Sequence, residues 1–353
     1  MAHSISTLLS TLLLSVLGYH LVSGVPIASH HAAQQRHPST ARTEIVHGRR
    51  SAAVPAFNSN FADPSIFQDT DGQWYAFATE GNGKTVQVAR APAVLGPWEL
   101  LDHDDLLPTS PSWATGKYTW APAVDRVDDG SYVMYYSAQL DGDYSRFHGI
   151  GTATADSVLG PYTPSPGKPF AANVTAGGAI DASGFRDGKT GKRYVVYKVD
   201  GNSLGSGGSC GNVDAPVHPT PIMLQEVEAD GVTRLGGPTP ILDRTEDDGP
   251  LVEAPSLLRM RDGRYVLFYS SGCFNDASYR TNYAIASEVT GPYVRAKQAM
   301  MKSGDRLGLA APGGAAAAAD GSALVFHADC PQGRCMHVSV LNVDQDDVVT
   351  LEE

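Results

Sequence analysis

A segment of about sixty residues recurs five times along this chain of 353 residues, and this repeat limits the folds that the chain can adopt. When Asp63, Ala121, Asp181, Ala254 and Pro312 are taken as equivalent, the steps between them are 58, 60, 73 and 58 residues. Repeats of this length are typical of solenoids, propellers and arrays. The chain is therefore predicted to form a series of similar structural units.

The composition of each repeat predicts β-strands. A glycine begins a run of β-branched and aromatic residues in every repeat, for example GSYVMYYSA from Gly130 and GRYVLFYSS from Gly263. Such a run after a tight turn is typical of a strand. Gly-Pro pairs at Gly96, Gly160 and Gly291 mark equivalent turns before a further strand. Four short antiparallel strands in each of five repeats predict an all-β, five-bladed β-propeller, with a regular β-sandwich as the alternative.

The N-terminal region has the composition of an export signal. Residues 1–24 contain a short apolar stretch followed by small residues, which predicts a secretory signal peptide rather than a membrane anchor. Residues 25–55 are rich in His, Ala, Gln and Ser, and they predict either a disordered pro-segment or an uncut flexible arm. The propeller is expected to occupy residues 56–353 of a secreted, extracellular protein.

Four cysteines and one sequon agree with export. Cys330 and Cys335 flank four residues between two predicted strands, a spacing that suits a disulfide closing a hairpin. Cys210 and Cys273 are then the second predicted pair, although four cysteines allow three connectivities. Asn173 begins the sequence Asn-Val-Thr, which predicts N-glycosylation on an exposed loop.

The charge of the chain excludes partners more clearly than it identifies one. The formal net charge of -12 argues against nucleic acid and against an anionic membrane as partners. An acidic surface is compatible with a neutral polymer such as a polysaccharide. A monomer is expected.

Three acids lie near the start of the first strand in the first, third and fourth repeats: Asp63, Asp181 and Glu253. The innermost strands of a propeller converge on one axis, so these acids are expected to meet beside apolar neighbours that solvate charge poorly. Cleavage of a glycosidic bond uses one carboxylic acid to protonate the departing oxygen and one carboxylate to activate water or attack carbon. A third acid can raise the pKa of the proton donor. Phe61 and Trp120 suit stacking on a sugar ring, with packing as the alternative.

The ordered motifs around these acids resemble glycoside hydrolase family 43 over residues 56–353. The motifs are Asp63-Pro64, Trp120-Ala121-Pro122, Ile180-Asp181 and Val252-Glu253-Ala254-Pro255. The resemblance implies an inverting enzyme that cleaves arabinose- or xylose-containing plant polysaccharide, with Asp63 as general base, Glu253 as general acid and Asp181 tuning and orienting Glu253. It favours an α-L-arabinofuranosidase or arabinanase over a β-xylosidase. A galactan-cleaving enzyme and a non-catalytic carbohydrate-binding propeller are the alternatives.

Two features depart from the family pattern. Related enzymes often carry a histidine after a Gly-Pro-Gly turn in the fifth blade, where it serves a central ion or water cluster, but here Ala311-Pro312-Gly313-Gly314 precedes five alanines. No cofactor is therefore required, the case for a central structural calcium is weak, and His327 is expected to be a packed or water-bonded side chain. Glu253 lies one residue before the column of Asp63 and Asp181, so its strand must be irregular there.

Overall fold

The computed structural model describes residues 53–343 and 348–352, which form five antiparallel sheets of consecutive strands. The predicted signal peptide at 1–24 and residues 25–52 of the predicted arm lie outside the described residues. No helix in the described ranges has the length and hydropathy needed to cross a membrane.

Each sheet is one blade, and its strands pair in the order in which they occur along the chain. Blade 1 contains β1 (Ser65–Gln68), β2 (Trp74–Ala78), β3 (Gln87–Ala91) and β4 (Glu99–Leu100). Blade 2 contains β5 (Trp120–Arg126), β6 (Tyr132–Gln139), β7 (His148–Ala155) and β8 (Thr163–Pro164). Blade 3 contains β9 (Ala179–Arg186), β10 (Arg193–Val199), β11 (Ile222–Val227) and β12 (Thr239–Leu242).

The last two blades follow the same plan. Blade 4 contains β13 (Val252–Arg259), β14 (Tyr265–Ser271), β15 (Arg280–Ala286), β16 (Val294–Arg295) and an extra strand, β17 (Met301–Lys302), paired with β15. Blade 5 contains β18 (Gly313–Ala317), β19 (Ala323–Cys330), β20 (Gly333–Val343) and β21 (Val349–Leu351). Short 3-10 helices lie in the connections at Gly142–Tyr144, Val174–Ala176, Gly201–Leu204, Ser209–Gly211 and Glu246–Asp248. The prediction of a five-bladed propeller with four-stranded blades is confirmed.

The apolar strand runs build the core between successive blades. Every residue of β2 is buried, as is every residue of β14, because both faces of these strands lie against neighbouring sheets. Side chains of adjacent blades form one cluster at each junction; Phe77 of blade 1, for example, packs in the same cluster as Met134 of blade 2. Burial of these apolar faces is the main force that holds the blades together.

The ring closes between blade 5 and blade 1. Trp74 of β2 and Val338 of β20 lie in one buried cluster, as do side chains at the other four junctions. The segment before β1 also pairs with β20, since the N–H of Ala56 donates to the carbonyl of Met336 at 2.7 Å and the N–H of Phe61 donates to that of Arg334 at 2.7 Å. Residues far apart in the sequence are therefore fixed beside one another at this junction.

Candidate active site

An irregularity at the start of the first strand recurs in all five blades. One residue there has a positive φ in every blade, and the five are Asp63 (53°), Ala121 (44°), Asp181 (59°), Ala254 (50°) and Gly314 (58°). The pairing with the second strand shifts at this point, for example between Glu253 and Ser256. This left-handed residue supplies the irregularity that the position of Glu253 requires.

The same comparison corrects the alignment of the fifth repeat. Gly314, and not Pro312, has the left-handed backbone and therefore corresponds to Asp63. A side chain at Gly314 would have its Cβ 2.7 Å from the ring of His327, so the position accepts only glycine without rearrangement. The run of alanines that follows concealed this register in the sequence.

Hydrogen bonds between blades fix the five left-handed residues around the axis. In four junctions the N–H of that residue donates to a side chain on the second strand of the preceding blade or directly after it. The donor and acceptor pairs are Ala121 to Thr79 (2.9 Å), Asp181 to Ser137 (3.0 Å), Gly314 to Ser270 (2.9 Å) and Asp63 to His327 Nδ1 (3.0 Å). These bonds place Asp63 and Asp181 on one small central cavity of about 40 Å³.

Asp63 has surroundings that stabilise its ionised form. Arg334 Nη1 lies 3.0 Å from Oδ1, and the hydroxyl of Thr79 donates to Oδ2 at 2.6 Å. Although burial opposes ionisation, the charge of Arg334 and the hydrogen bonds from Thr79 and Arg334 lower the pKa of Asp63 below its ordinary value. Asp63 is thus a carboxylate that can accept a proton.

His327 is a fully buried, packed side chain, as expected, and it also takes part in this arrangement. Its Nδ1 accepts the N–H of Asp63, and its ring lies parallel to that of Tyr279 with centroids 5.8 Å apart. Burial and the charge of Arg334 lower the pKa of His327 to about 3. A neutral ring with Nδ1 as acceptor carries its proton on Nε2.

Glu253 is buried and held by two donors. Lys198 Nζ lies 3.0 Å from Oε2, and the hydroxyl of Tyr279 donates to Oε1 at 2.8 Å. Burial and the nearby carboxylates raise the pKa of Tyr279 well above its ordinary value, so its hydroxyl remains a donor. Burial opposes the charge of Lys198, but Asp200, Glu253 and Asp181 together raise its pKa above the ordinary value.

Asp181 is the acid of the three that most clearly retains a proton. Burial and the adjacent Glu253 carboxylate raise the pKa of Asp181 to about 8. Its Oδ2 also accepts the N–H of Ala254 at 2.9 Å, directly after Glu253 in β13. Asp181 therefore retains a proton next to Glu253 near neutral pH, whereas Asp63 is ionised there.

The two predicted stacking residues differ in exposure. Phe61 has no exposed surface and packs edge-on against Phe57 with ring centroids 5.2 Å apart, so it is a core residue and its predicted role in substrate binding is corrected. Trp120 is partly exposed and lies on the ring of His148, with centroids 3.7 Å apart. Tyr118 contacts the Trp120 ring edge-on. Trp120 therefore remains available for a ligand.

Both disulfides lie at the end of the blades where the first strands begin, the end that carries the acids: one joins β19 to β20, and the other joins two connections. The structure joins Cys330 to Cys335 and Cys210 to Cys273, the pairing that the sequence predicts. The first bond closes the hairpin that carries Arg334. The guanidinium of Arg334 also lies 5.3 Å above the ring of Phe274, next to Cys273.

Several contacting residues were missed from the sequence: Thr79, Lys198, Tyr279 and Arg334. Lys198 left a visible signal, because it is a charged residue within the apolar run that follows Arg193 in β10. Arg334 left none, since its contact with Asp63 spans 271 positions along the chain.

No group of three or more His, Cys, Asp or Glu side chains within 53–343 and 348–352 is arranged to hold a metal ion. His327, which comes nearest to a central histidine, uses Nδ1 for the Asp63 N–H. A separate cavity of about 890 Å³ beside blades 4 and 5 is lined by residues such as Tyr283, Met300 and Leu307 and by none of the three acids.

A propeller that brings to its axis acids whose pKa values are shifted in opposite directions has the layout expected of a glycoside hydrolase. Residues 52–348 match the family Glycosyl hydrolases family 43, and the chain belongs to that family of enzymes.

Similar proteins agree with this assignment. The chain is 26% identical over 294 residues to "Probable arabinan endo-1,5-alpha-L-arabinosidase C" of Aspergillus flavus, covering 78% of this chain and 84% of the relative. It is 25% identical over 284 residues to "Beta-D-galactofuranosidase xynD" of Aspergillus niger, covering 77% and 74%. A crystal structure titled a thermostable family-43 glycoside hydrolase superposes with a TM-score of 0.68 at 24% identity, covering 83% of this chain and 93% of that one.

Proposed function

We propose that this glycoside hydrolase is secreted and cleaves α-L-arabinofuranosyl linkages within arabinan, with inversion at the anomeric carbon. The observation that carries the mechanism is the opposite electrostatic surroundings of two acids at equivalent positions of the repeat, Arg334 and Thr79 at Asp63 and the adjacent Glu253 at Asp181. The pKa of Asp63 is lowered, mainly by Arg334 against the effect of burial, whereas burial and Glu253 raise that of Asp181. Asp63 is suited to act as a base, and Asp181 forms with the adjacent Glu253 a pair that is suited to proton donation.

Each of the three acids then has one role in the proposed reaction. Asp63 takes a proton from a water molecule as the water oxygen attacks the anomeric carbon. The bond from that carbon to the departing sugar oxygen breaks, and this oxygen receives a proton from Glu253. In the reacting enzyme the proton shared by this pair lies on Glu253. Asp181 favours that state through repulsion between the two carboxyl groups, and it fixes the backbone after Glu253 through the N–H of Ala254.

Exposed aromatic side chains support a polymer as substrate and cleavage within the chain. Tyr118, Tyr144 and Phe274 are each about half exposed, with values of 49%, 53% and 44%. All three lie in connections at the end of the blades where the first strands begin, the end that carries the acids. Amphipathic rings around the mouth of a site suit stacking on several sugar units.

Products from linear 1,5-arabinan test this proposal. We expect a mixture of short arabino-oligosaccharides early in the reaction and α-to-β inversion of the new reducing end by proton NMR. Release of arabinose alone contradicts cleavage within the chain, and retention contradicts the mechanism. Asp63→Asn and Glu253→Gln should be inactive, and Glu99→Gln is the matched control because Glu99 is an exposed acid of blade 1.

A galactofuranosidase activity is a second candidate, because the Aspergillus niger relative carries that name. Arabinofuranose and galactofuranose share a five-membered ring and differ in the length of the side chain. Turnover of aryl α-L-arabinofuranoside beside aryl β-D-galactofuranoside separates the two candidates. Faster turnover of the galactofuranoside contradicts the arabinan proposal.

Export and glycosylation are proposed on separate grounds. Asn173 is exposed, and the hydroxyl of Thr175 donates to its Oδ1 at 2.8 Å. Both disulfides agree with an oxidising compartment. Expression in a eukaryotic host should give medium-borne protein whose mass falls on treatment with an N-glycosidase, and Asn173→Gln should abolish that fall. Protein retained in the cells contradicts export.

A further inference from the structure

Blade 3 departs from the hydrogen-bonding pattern of the other four blades. One side chain near the end of the second strand lies beside the start of the first strand in each blade. In blades 1 to 5 it belongs to Thr79, Ser137, Lys198, Ser270 and His327. Four of these side chains accept the N–H of the left-handed residue in the next blade. Lys198 is a donor only and cannot do so. At this junction the N–H of Ala254, the left-handed residue of blade 4, donates instead to Oδ2 of Asp181 at 2.9 Å.

Lys198 needs an explanation beyond the stability of the ring. A serine would satisfy the N–H of Ala254, as Ser137 and Ser270 do for their neighbours. Lys198 is instead fully buried, with Nζ 2.9 Å from Asp200 and 3.0 Å from Glu253. A buried ion pair is poor evidence for stability, because desolvation offsets the attraction between its charges. A buried cation next to a carboxyl that exchanges protons has a direct chemical effect.

The groups that face Glu253 come from every neighbouring element. Lys198 and, behind it, Asp200 approach from blade 3, and Asp181 approaches from β9. Tyr279 approaches from the connection before β15. Asp63 and Arg334 act on the same region from blades 1 and 5, and His148 of blade 2 faces Asp200. Lys198 is the one cation among them in contact with Glu253 in the described part of the chain.

We propose that Lys198 is a positioning residue that sets the upper pH limit of the reaction, by favouring the ionised form of the Asp181–Glu253 pair, and that Asp200 moderates this effect. This inference rests on the proposed function, in which the pair must hold a proton to release the departing oxygen. A positive charge next to the pair lets that proton go at lower pH. The negative charge of Asp200 counteracts part of that influence.

Removing the charge of Lys198 and removing that of Asp200 are therefore expected to shift the alkaline limb of the pH profile in opposite directions. Lys198→Met removes the cation, so the pair keeps its proton longer and the alkaline limb of kcat/KM moves to higher pH by about one unit or more. Asp200→Asn leaves the cation without its other partner, so the limb moves to lower pH. Lys198→Arg keeps the charge and should keep the limb near its original position.

The test is the pH dependence of kcat/KM for an aryl α-L-arabinofuranoside with the full chain and these variants. Because Lys198→Met leaves Asp200 buried without its cation, Lys198→Met/Asp200→Asn is included, and its limb should move up by less than that of Lys198→Met. If the Lys198 variants do not fold, Asp200→Asn still decides the matter by the direction of its shift. Circular dichroism and thermal unfolding verify the fold of each variant.

Active variants whose limbs coincide with that of the unaltered enzyme overturn the inference, as does a shift in the same direction for Lys198→Met and Asp200→Asn. Either result is compatible with the proposed function if Asp63→Asn and Glu253→Gln remain inactive. Activity retained in those two variants instead overturns the proposed function itself. The two failures are thus distinguishable.

Discussion

The two sides of the candidate site place acids from equivalent repeats in opposite electrostatic surroundings. On the side of blades 1 and 5, Asp63 contacts Arg334 and the hydroxyl of Thr79. On the side of blades 3 and 4, Asp181 contacts a backbone N–H and lies near the Glu253 carboxylate. The repeat supplies the same backbone position twice, and the side chains of the neighbouring blade decide which acid ionises. The protonation state of each acid is thus set by charged side chains of an adjacent blade, Arg334 of blade 5 for Asp63 and Glu253 of blade 4 for Asp181.

Removing the acid on either side is the strongest way to break this comparison. Asp63→Asn abolishes the base, and Glu253→Gln abolishes the proton donor, so each should lower kcat by about 10²–10⁴-fold. Initial rates on linear arabinan measure the effect. If only one variant loses activity, the division of roles between the two sides is wrong.

Neutralising the cation on the Asp63 side should move the acidic limb of the pH profile. Arg334 lowers the pKa of Asp63 against the opposing effect of burial. The pKa of Asp63 should therefore rise in Arg334→Met. As the pH is lowered, this variant should lose activity about one pH unit or more above the pH at which the unaltered enzyme does. The alkaline limb should move less, because Arg334 has no direct contact with Glu253 and acts on it only from a distance. Arg90→Met, which removes an exposed arginine of blade 1, is the matched control.

The disulfides allow stability to be separated from activity. The Cys210–Cys273 bond spans 63 positions and the Cys330–Cys335 bond spans 5. Chain-entropy arguments give about 4 kcal/mol and about 2 kcal/mol for loops of these lengths. Replacing Cys210 and Cys273 by serine should thus lower Tm more.

Activity is expected to follow a different order from stability in the two disulfide variants. The Cys330–Cys335 hairpin carries Arg334, so replacing these two cysteines by serine should shift the acidic limb in the direction expected for Arg334→Met. Thermal unfolding and pH profiles of both double variants check this. An unchanged acidic limb in the Cys330/Cys335 variant shows that the bond does not position Arg334.

The smallest expected effect compares two serines with the same role in the ring. Ser137 accepts the N–H of Asp181, and Ser270 accepts that of Gly314. Each serine-to-alanine change leaves one buried N–H without its acceptor and should lower the free energy of unfolding by about 1–3 kcal/mol. Ser137→Ala should also lower kcat more than Ser270→Ala does, because Ser137 bonds one of the acids directly whereas Ser270 reaches Glu253 only through Tyr279. Equal effects of both changes on kcat contradict this.

The architecture could be predicted from the sequence because each blade of a propeller has a local sequence pattern. Turn glycines such as Gly130 and apolar runs such as β14 recur at a regular spacing, and each needs only its own repeat to be recognised. The three acids were predictable for the same reason. Phe61 was not, because the preference between core and ligand depends on the neighbouring Phe57 and on closure of the ring.

The contacts that set protonation were beyond such patterns. Lys198 reaches Glu253 across 55 positions and Arg334 reaches Asp63 across 271. These pairings depend on the angle between blades and on loop conformations, neither of which has a local signature. The misplaced register at Pro312 has a related cause, since a run of alanines carries no information on which residue adopts the left-handed backbone.

Closure of the ring between blades 5 and 1 has a consequence for the enzyme during its synthesis and folding. Asp63 emerges early in synthesis, but the guanidinium that ionises it belongs to the final blade. A partly synthesised chain therefore contains the acids without the charge that makes one of them a base. Hydrolytic competence is expected to arise in a single late step, when the two ends of the propeller join.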